Sequence, residues 1–357
     1  MRRSVSEVKI SGRVIGPGHP TYIVAELSAN HNQSLAEAIE LVKLAKEAGA
    51  DAVKLQTYRP DTITIDCDTE YFRIKGTPWA GRTLYELYAE ACTPWDWHPR
   101  LNELADQLDL HLFSSPFDHS AVRFLEKMNV PAYKVASFEN IDLPLLRCVA
   151  KTGKPVILST GMATLAEIDE AVRTIREAGG KEVALLKCVS AYPALPEEMN
   201  LRTIQSLAEV FGVPAGLSDH TLGISVPVAA VALGASIIEK HFTKTRAVSG
   251  PDSAFSLEPQ EFRAMVDAIR TAEKAIGEVT YGVSAREKES RALRRSLFVV
   301  RNMAAGEVFN EDNVRSIRPG HGLHPRYLEK VLGRRATRDV ARGTPLDWEL
   351  VGTTEEP

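Results

Sequence analysis

Cysteine is scarce in this chain: four among 357 residues, at positions 67, 92, 148 and 188. None lies in a C-x-x-C pair, so neither a disulfide framework nor metal ligation by them is expected, and the four read as reduced thiols of a cytoplasmic protein. Long apolar runs are also missing. The longest, Ser225 to Ile238, is interrupted by Pro227 and Gly234 and falls short of a membrane span. The first ten residues carry charge without the apolar core of a signal peptide. No Gly-x-Gly-x-x-Gly turn supports an open dinucleotide-binding sheet. The net charge is only −4, but unevenly spread: residues 286–342 hold 14 Lys/Arg against 7 Asp/Glu, giving +7 there and −11 elsewhere. These basic residues are scattered and no stacking aromatics accompany them, so nucleic acid is not indicated. Docking on an acidic partner domain, or facing an anionic substrate, suits that charge better.

What is present is an ordinary globular composition, 44% hydrophobic and 25% charged, with a regular rhythm. Strand-like apolar runs occur at residues 22–26, 52–56, 110–115, 132–137, 155–159, 183–188, 213–220 and 235–241. Helix-length segments separate them. Ser34-Leu-Ala-Glu37 and Thr164-Leu-Ala-Glu167 are capping boxes that open helices, and Ala48-Gly, Ala178-Gly and Leu233-Gly close them. Eight alternating units over roughly 280 residues predict a parallel sheet closed into a (β/α)8 barrel. Residues 59–97 are too long for a simple connecting helix and read as part helical and part active-site flap. After about residue 283 the rhythm stops. A charged linker, 284–295, leads into a small, mostly β module, 296–357, with Gly-centred turns at Arg318-Pro-Gly and Ala341-Arg-Gly. At roughly 60 residues that module is marginal alone and is expected to dock on something larger.

In such a barrel the chemistry comes from the C-terminal strand ends. Those ends carry Glu26; Lys54 and Gln56; Ser114 and Ser115; Lys134 and Ser137; Ser159; Lys187 and Ser190; Ser218 and His220; Glu239 and His241. Lysines and hydroxyls converging on one face describe a pocket for a polyanion, most simply a phosphate with a carboxylate. His220 and His241 close neighbouring runs and emerge side by side. Two imidazoles are too few for the usual zinc sites, but suit a divalent ion such as Mn, Mg or Co that takes its other ligands from water and substrate. Glu239 reads equally as a carboxylate orienting a histidine and as one half of an interior ion pair. Lys187 leaves a second chemistry open, a Schiff-base aldolase.

Read in order, these motifs resemble the sialic acid synthase family: Ala25-Glu-Leu-Ser-Ala-Asn-His-Asn32, Val53-Lys-Leu-Gln56, Ser114-Ser-Pro-Phe117, Tyr133-Lys-Val-Ala-Ser137, Ile157-Leu-Ser-Thr-Gly-Met162, Leu217-Ser-Asp-His-Thr221, Glu239-Lys-His-Phe-Thr243 and Gly250-Pro-Asp252. Ile65-Asp-Cys-Asp, Tyr71-Phe-Arg-Ile and Gly81-Arg-Thr-Leu-Tyr85 are most similar to its pseudaminic acid branch. The C-terminal module resembles that family's antifreeze-like (SAF) domain. One departure is Gln33, where the family usually has glycine. The resemblance implies condensation of phosphoenolpyruvate with an amino sugar, here 2,4-diacetamido-2,4,6-trideoxy-L-altrose, with release of phosphate by C–O cleavage. It implies that His220 and His241 hold the metal and that Glu26 engages a sugar hydroxyl or moves a proton. Lys54, Gln56, Ser115, Lys134, Ser137, Ser159, Ser190 and Ser218 are implied to hold phosphoenolpyruvate. Asn30, His31, Tyr192, Asp252 and Arg318 are implied to hold the sugar, with Arg318 reaching a partner subunit's pocket in a domain-swapped homodimer. Sister specificities, N-acetylneuraminate or legionaminate, stand beside it. A non-catalytic carbohydrate- or ice-binding protein is the reading suggested by the C-terminal module alone.

Overall fold

A computed structural model describes residues 5–77, 79–248 and 250–353. The charged tip of the N-terminus, residues 1–4, and the last four residues, 354–357, lie outside the described residues. The chain divides into two compact units, one up to Gly277 and one from Glu278 onward.

The first unit opens with a hairpin of β1 (Val8–Ile10) and β2 (Arg13–Ile15). Eight parallel strands follow: β3 (Tyr22–Glu26), β4 (Ala52–Thr57), β5 (His111–Pro116), β6 (Tyr133–Val135), β7 (Val156–Ser159), β8 (Val183–Cys188), β9 (Ala215–Asp219) and β10 (Ile237–His241). They close into a barrel in chain order, with β10 pairing β3. The fold is therefore the (β/α)8 barrel that the alternation predicts. Six of the eight runs shift by one or two residues at an edge; two shifts matter for the site, β6 ending at Val135 because Ser137 already starts a 3-10 turn, and His220 lying one residue beyond β9. The helices start as the caps dictate. Ser34 accepts the Glu37 amide, and Thr164 and Glu167 satisfy each other's backbone N–H.

Side chains alternate across each strand, so residues two apart share a face. Odd and even positions accordingly enter two separate cores. Ile23, Ala25, Val53, Leu55, Val183, Leu185 and Leu217 face the surrounding helices. Tyr22, Val24, Ala52, Phe113, Ile157, Ala184, Leu186 and Ile237 fill the barrel's interior at its N-terminal end, where Val8, Ile10 and Ile15 of the hairpin seal it. Gly216 stands in this layer because nothing larger fits: a Cβ there would meet the Ile237 carbonyl oxygen and Leu186. Continuing the inward positions toward the C-terminal end, the residues turn polar. That switch is where the site begins.

The second unit has its own core of Leu297, Val299, Met303, Phe309, Val314, Val331, Leu346 and Leu350. β11 (Ser296–Val299) and β12 (Val314–Ile317) pair antiparallel, and isolated bridges such as Met303 with Val340 and Ala336 with Val351 knit the rest. Its β character thus lies more in single bridges than in long strands. Among the described residues, no helix is long and apolar enough to cross a membrane.

Candidate functional site

The inward positions near the strand ends are Glu26 (β3), Lys54 and Gln56 (β4), Ser115 (β5), Lys134 (β6), Ser159 (β7), Cys188 (β8), Ser218 (β9) and Glu239 and His241 (β10). All but Gln56 are buried. Isolated charges at that depth are costly, so they pair. Lys54 Nζ lies 2.5 Å from Glu26 Oε2 and 3.7 Å from Glu239 Oε1, and Lys134 Nζ lies 3.9 Å from Glu239 Oε1. Lys54 donates to Ser115 Oγ at 3.2 Å, Lys134 to Ser159 Oγ at 2.7 Å, and Ser218 to Glu239 at 3.1 Å. Gln56 Nε2 donates to Glu26 Oε1 at 3.1 Å.

The cluster balances two positive against two negative groups. Burial pushes Glu26 above the usual carboxylate range against the pull of Lys54. Burial acts likewise on Glu239, but Lys134 and Lys54 outweigh it and hold this carboxyl low. Burial lowers Lys134, whereas the two carboxylates lift Lys54 despite its burial. Glu239 thus belongs to an interior ion pair, which decides between the two readings its position allows. The lysines are not bare anion hooks; each is already held by a carboxylate and a hydroxyl.

Beside this floor stand the histidines, with ring centroids 5.3 Å apart. The His220 ring bonds the Val189 carbonyl through Nδ1 at 2.8 Å, which leaves Nε2 as the nitrogen open to a ligand. Burial lowers this imidazole, but Cys188, the Val189 carbonyl and Asp219 outweigh it and raise it above its usual range, so a metal at Nε2 would have to displace a proton. Burial, with the neighbouring charges of His220 and Lys54, holds His241 well below the usual imidazole range, so it is neutral near pH 7. Its Nδ1 is buried with no hydrogen-bond partner. Among the described residues no group of three or more His, Cys, Asp and Glu side chains is placed to hold a metal. What the structure offers is a pair of imidazoles with free ring nitrogens. That fits a divalent ion completed by water and substrate oxygens.

The hydroxyls implied to hold phosphoenolpyruvate divide into two groups. Ser115, Ser159 and Ser218 are engaged by the charged cluster. Ser137 and Ser190 instead flank Gly161, whose amide donates to Ser137 Oγ at 3.0 Å. Ser190 Oγ is buried without a partner, and a Cβ on Gly161 would collide with both hydroxyls. With the Gly161 amide spent on Ser137, what this small cradle offers an oxyanion is the free Ser190 hydroxyl beside a backbone that carries no side chain.

The residues implied to hold the sugar separate further. Tyr192 packs on His220 at 4.4 Å between ring centroids, beside Phe255. Asp252 is hydrogen-bonded by Ser28, which also accepts from Gln56. Asn30 is buried and its amide nitrogen is committed to the Phe242 carbonyl and Ser256. His31 does not reach the pocket: its nitrogens engage Thr93 and the Gln33 amide, and its ring packs edge-on to Trp97. It is a core histidine, because a buried ring spends its polar atoms on the nearest partners. Arg318 lies in the second unit, exposed, just after β12. Lys187 falls on the outward set of β8 with Val183 and Leu185 and donates to the Cys188 carbonyl. The Schiff-base reading thereby loses its geometry, since the nucleophile would face away from the barrel interior.

Gln33 shows how the departure from glycine is accommodated. It holds the left-handed conformation that glycine would adopt, φ 55°, while its side chain donates to the Glu90 and Cys92 carbonyls at 2.8 and 2.6 Å.

Sequence reasoning missed a second buried ion pair, Asp219 with Lys240, 2.6 Å apart and fully enclosed on the outer face of the sheet. Asp219 also accepts from the Thr221 hydroxyl and amide, and Lys240 donates to the Thr221 carbonyl. Each immediately precedes a histidine. A charged residue in an otherwise apolar outward row requires a partner, and that signal was available in the sequence. Cys188 was also unforeseen. Its Sγ lies 3.9 Å from His220 Nδ1, and although burial pushes the thiol up, His220 with Ser137 and Lys134 brings it down to about 7.

Comparison with known proteins places these features in context. Residues 41–281 match the NeuB family and residues 294–351 the SAF domain. The pseudaminic acid synthase of Helicobacter pylori is 47% identical over 328 residues, covering 92% of this chain and 96% of the relative. The N,N'-diacetyllegionaminic acid synthase of Legionella pneumophila is 37% identical, covering 97% and 99%. Among solved structures, an N-acetylneuraminic acid synthetase from Leptospira borgpetersenii in complex with citrate superposes with a TM-score of 0.71 at 32% identity, covering 81% of this chain and 96% of that one.

Proposed function

Because this chain belongs to the NeuB family, the sialic acid synthases, we propose that it is a transferase making pseudaminic acid from phosphoenolpyruvate and 2,4-diacetamido-2,4,6-trideoxy-L-altrose. The observation that carries this reading is the meeting, at one barrel end, of a free histidine pair, a paired-charge floor and the Ser137–Gly161–Ser190 cradle. The higher identity to a relative named for pseudaminic acid supports the sugar.

In the reaction C3 of phosphoenolpyruvate bonds to the sugar's aldehyde carbon, water adds at C2, and phosphate leaves with cleavage of the C–O bond. His220 and His241 would hold a divalent ion, which supplies Lewis-acid polarisation of the aldehyde oxygen. The Ser137 and Ser190 hydroxyls, beside Gly161 where no side chain intrudes, receive phosphoryl oxygens. Lys134 and Lys54, held upright by Ser159 and Ser115, face the carboxylate and phosphate as point charges. Glu26 keeps Lys54 charged and in place, and its raised pKa lets it share a proton with a sugar hydroxyl. Asp252, anchored through Ser28 to Gln56, presents a carboxylate to the sugar.

The dimer belongs to this reading. Phe138, Ile141, Met162, Leu165, Leu195 and Leu222, each more than half exposed, sit in the segments that follow β6, β7, β8 and β9, Leu165 at the start of a helix. These strands are neighbours in the barrel, so the segments give the mouth an apolar rim that a second copy would cover. In this reading Arg318 contacts the partner subunit's sugar. Four free thiols accord with residence in the cytoplasm.

The test is phosphate release from phosphoenolpyruvate with N-acetylmannosamine, the 2,4-diacetamido-trideoxy mannose and the 2,4-diacetamido-trideoxy altrose, each with and without chelator. Release with the altrose alone, lost on chelation and restored by Mn, is the expected result. Release with N-acetylmannosamine alone would reassign the sugar, and chelator-resistant release would remove the metal.

A further inference from the structure

The wall of the pocket above the histidines has a different character from its floor. Phe255 is buried and sets its ring edge-on to His241, 5.0 Å between centroids. Tyr192 bridges Phe255 at 5.2 Å and His220 at 4.4 Å. Trp79, from the long segment between β4 and β5, continues the surface with its ring 5.6 Å from Tyr192. Its indole N–H donates to the Pro251 carbonyl at 2.9 Å. That bond ties the inserted segment to the loop carrying Asp252 and Phe255, and it spends the ring's only polar atom. Trp79 and Phe255 therefore present carbon faces with no donor or acceptor left to offer.

We propose that Trp79 and Phe255 are specificity-determining residues, an apolar wall that selects sugars bearing a methyl group in place of the terminal hydroxymethyl. The inference rests on the synthase reading above, which puts the sugar's aldehyde end at the histidines. With C–C bonds of about 1.5 Å, an open six-carbon chain reaches about 6 Å from that end. Two ring-to-ring steps, from His220 to Tyr192 and on to Trp79, carry the wall along this length. A methyl group against the Trp79 and Phe255 faces gains apolar burial, whereas a hydroxyl there surrenders its water to rings that offer it no partner, the Tyr192 phenol being the one polar group among the three rings. Pockets of this kind discriminate by roughly 10- to 100-fold per added hydroxyl.

A matched pair of substrates tests this: the 2,4-diacetamido-2,4,6-trideoxy hexose and its counterpart hydroxylated at C6, compared by kcat/KM from phosphate release. Wild-type protein should favour the deoxy sugar by about 10- to 100-fold. Trp79→Ala should shrink that ratio to a few-fold, chiefly by losing rate on the deoxy sugar, with the KM for phosphoenolpyruvate little moved. Trp79→Leu, which keeps an apolar face, should retain most of the preference, and a thermal melt of each variant reports on folding. An unchanged ratio in Trp79→Ala, with both sugars slowed equally, would make Trp79 a general stacking platform and overturn the proposal. No phosphate from either sugar with wild-type protein would instead overturn the synthase reading itself.

Discussion

At the residue scale the protein is governed by what burial does to charge. His241 is kept neutral by desolvation and by neighbouring cations, the state in which an imidazole can ligate. We expect His241→Ala to lower turnover by about 100-fold or more, the size of losing one electrostatic catalytic contact, with far-UV circular dichroism unchanged. Wild-type turnover in that variant would remove the histidine pair from the chemistry. Burial also lowers His31 and His98 to about 4, and raises Glu139 to about 7. The signs oppose each other. Below about pH 6.5 the unfolded chain protonates its histidines while the folded protein does not until about pH 4, so stability falls with pH in that window. Glu139 keeps its proton in the folded state up to about pH 7, so its contribution is full below the ordinary carboxylate pKa and is lost as pH rises. In urea melts taken from pH 7 to pH 5, Glu139→Gln should therefore lose more stability than the wild-type protein, because the carboxyl that opposes the histidines is gone; superimposable profiles would contradict the burial of Glu139.

At the scale of elements, the site depends on the register of β9 against β10. Asp219 and Lys240 are paired across these strands on the outer face, one residue before each histidine. The clamp extends to both sides of His220 through the Thr221 backbone. Lys240→Met leaves a buried carboxylate without its cation and should cost about 3–5 kcal/mol in chemical denaturation. Combining it with Asp219→Asn should recover part of that loss, because the stranded charge is gone. Equal destabilisation in the single and double variants would mean that packing, not charge pairing, holds the strands. Gly216 one turn of the pleat earlier acts in the same place. Its replacement by Ala would drive a methyl into the Ile237 carbonyl and force β9 from β10, an overpacking cost of about 1–3 kcal/mol or more.

At the scale of the whole molecule, two units with separate cores share one chain, and the barrel's mouth carries an apolar rim. If a second copy covers that rim, Met162→Asp with Phe138→Asp should shift sedimentation from dimer toward monomer and lower turnover together. A wild-type protein that sediments as a monomer would end that reading. Arg318→Ala should then raise the apparent KM for the sugar more than that for phosphoenolpyruvate, whereas equal effects would argue against a direct sugar contact.

Much of this was legible in the chain alone. The period of two in each apolar run, with a glycine-closed helix between runs, determined eight parallel strands and hence the face where Glu26, Lys54, Lys134, His220 and His241 emerge. Covalent spacing carries that information, because alternation along a strand is a property of the backbone. Four things were decided only by tertiary structure. The lysines proved to be paired with Glu26 and Glu239, which are distant in sequence and meet only when the barrel closes. His31 turned into the core rather than toward the pocket, since its partners Thr93 and Trp97 lie some sixty residues away. Lys187 faced outward: Val183 to Leu186 are apolar on both faces, so which alternate set of β8 turned inward was fixed only when the barrel closed with Cys188 inside. Trp79 reached Tyr192, the ring that packs on His220, from a segment with no periodicity to read, held there by a hydrogen bond to the Pro251 carbonyl. Strand period is local and survives in sequence; which charge finds which partner depends on closure, and only the closed barrel contains it.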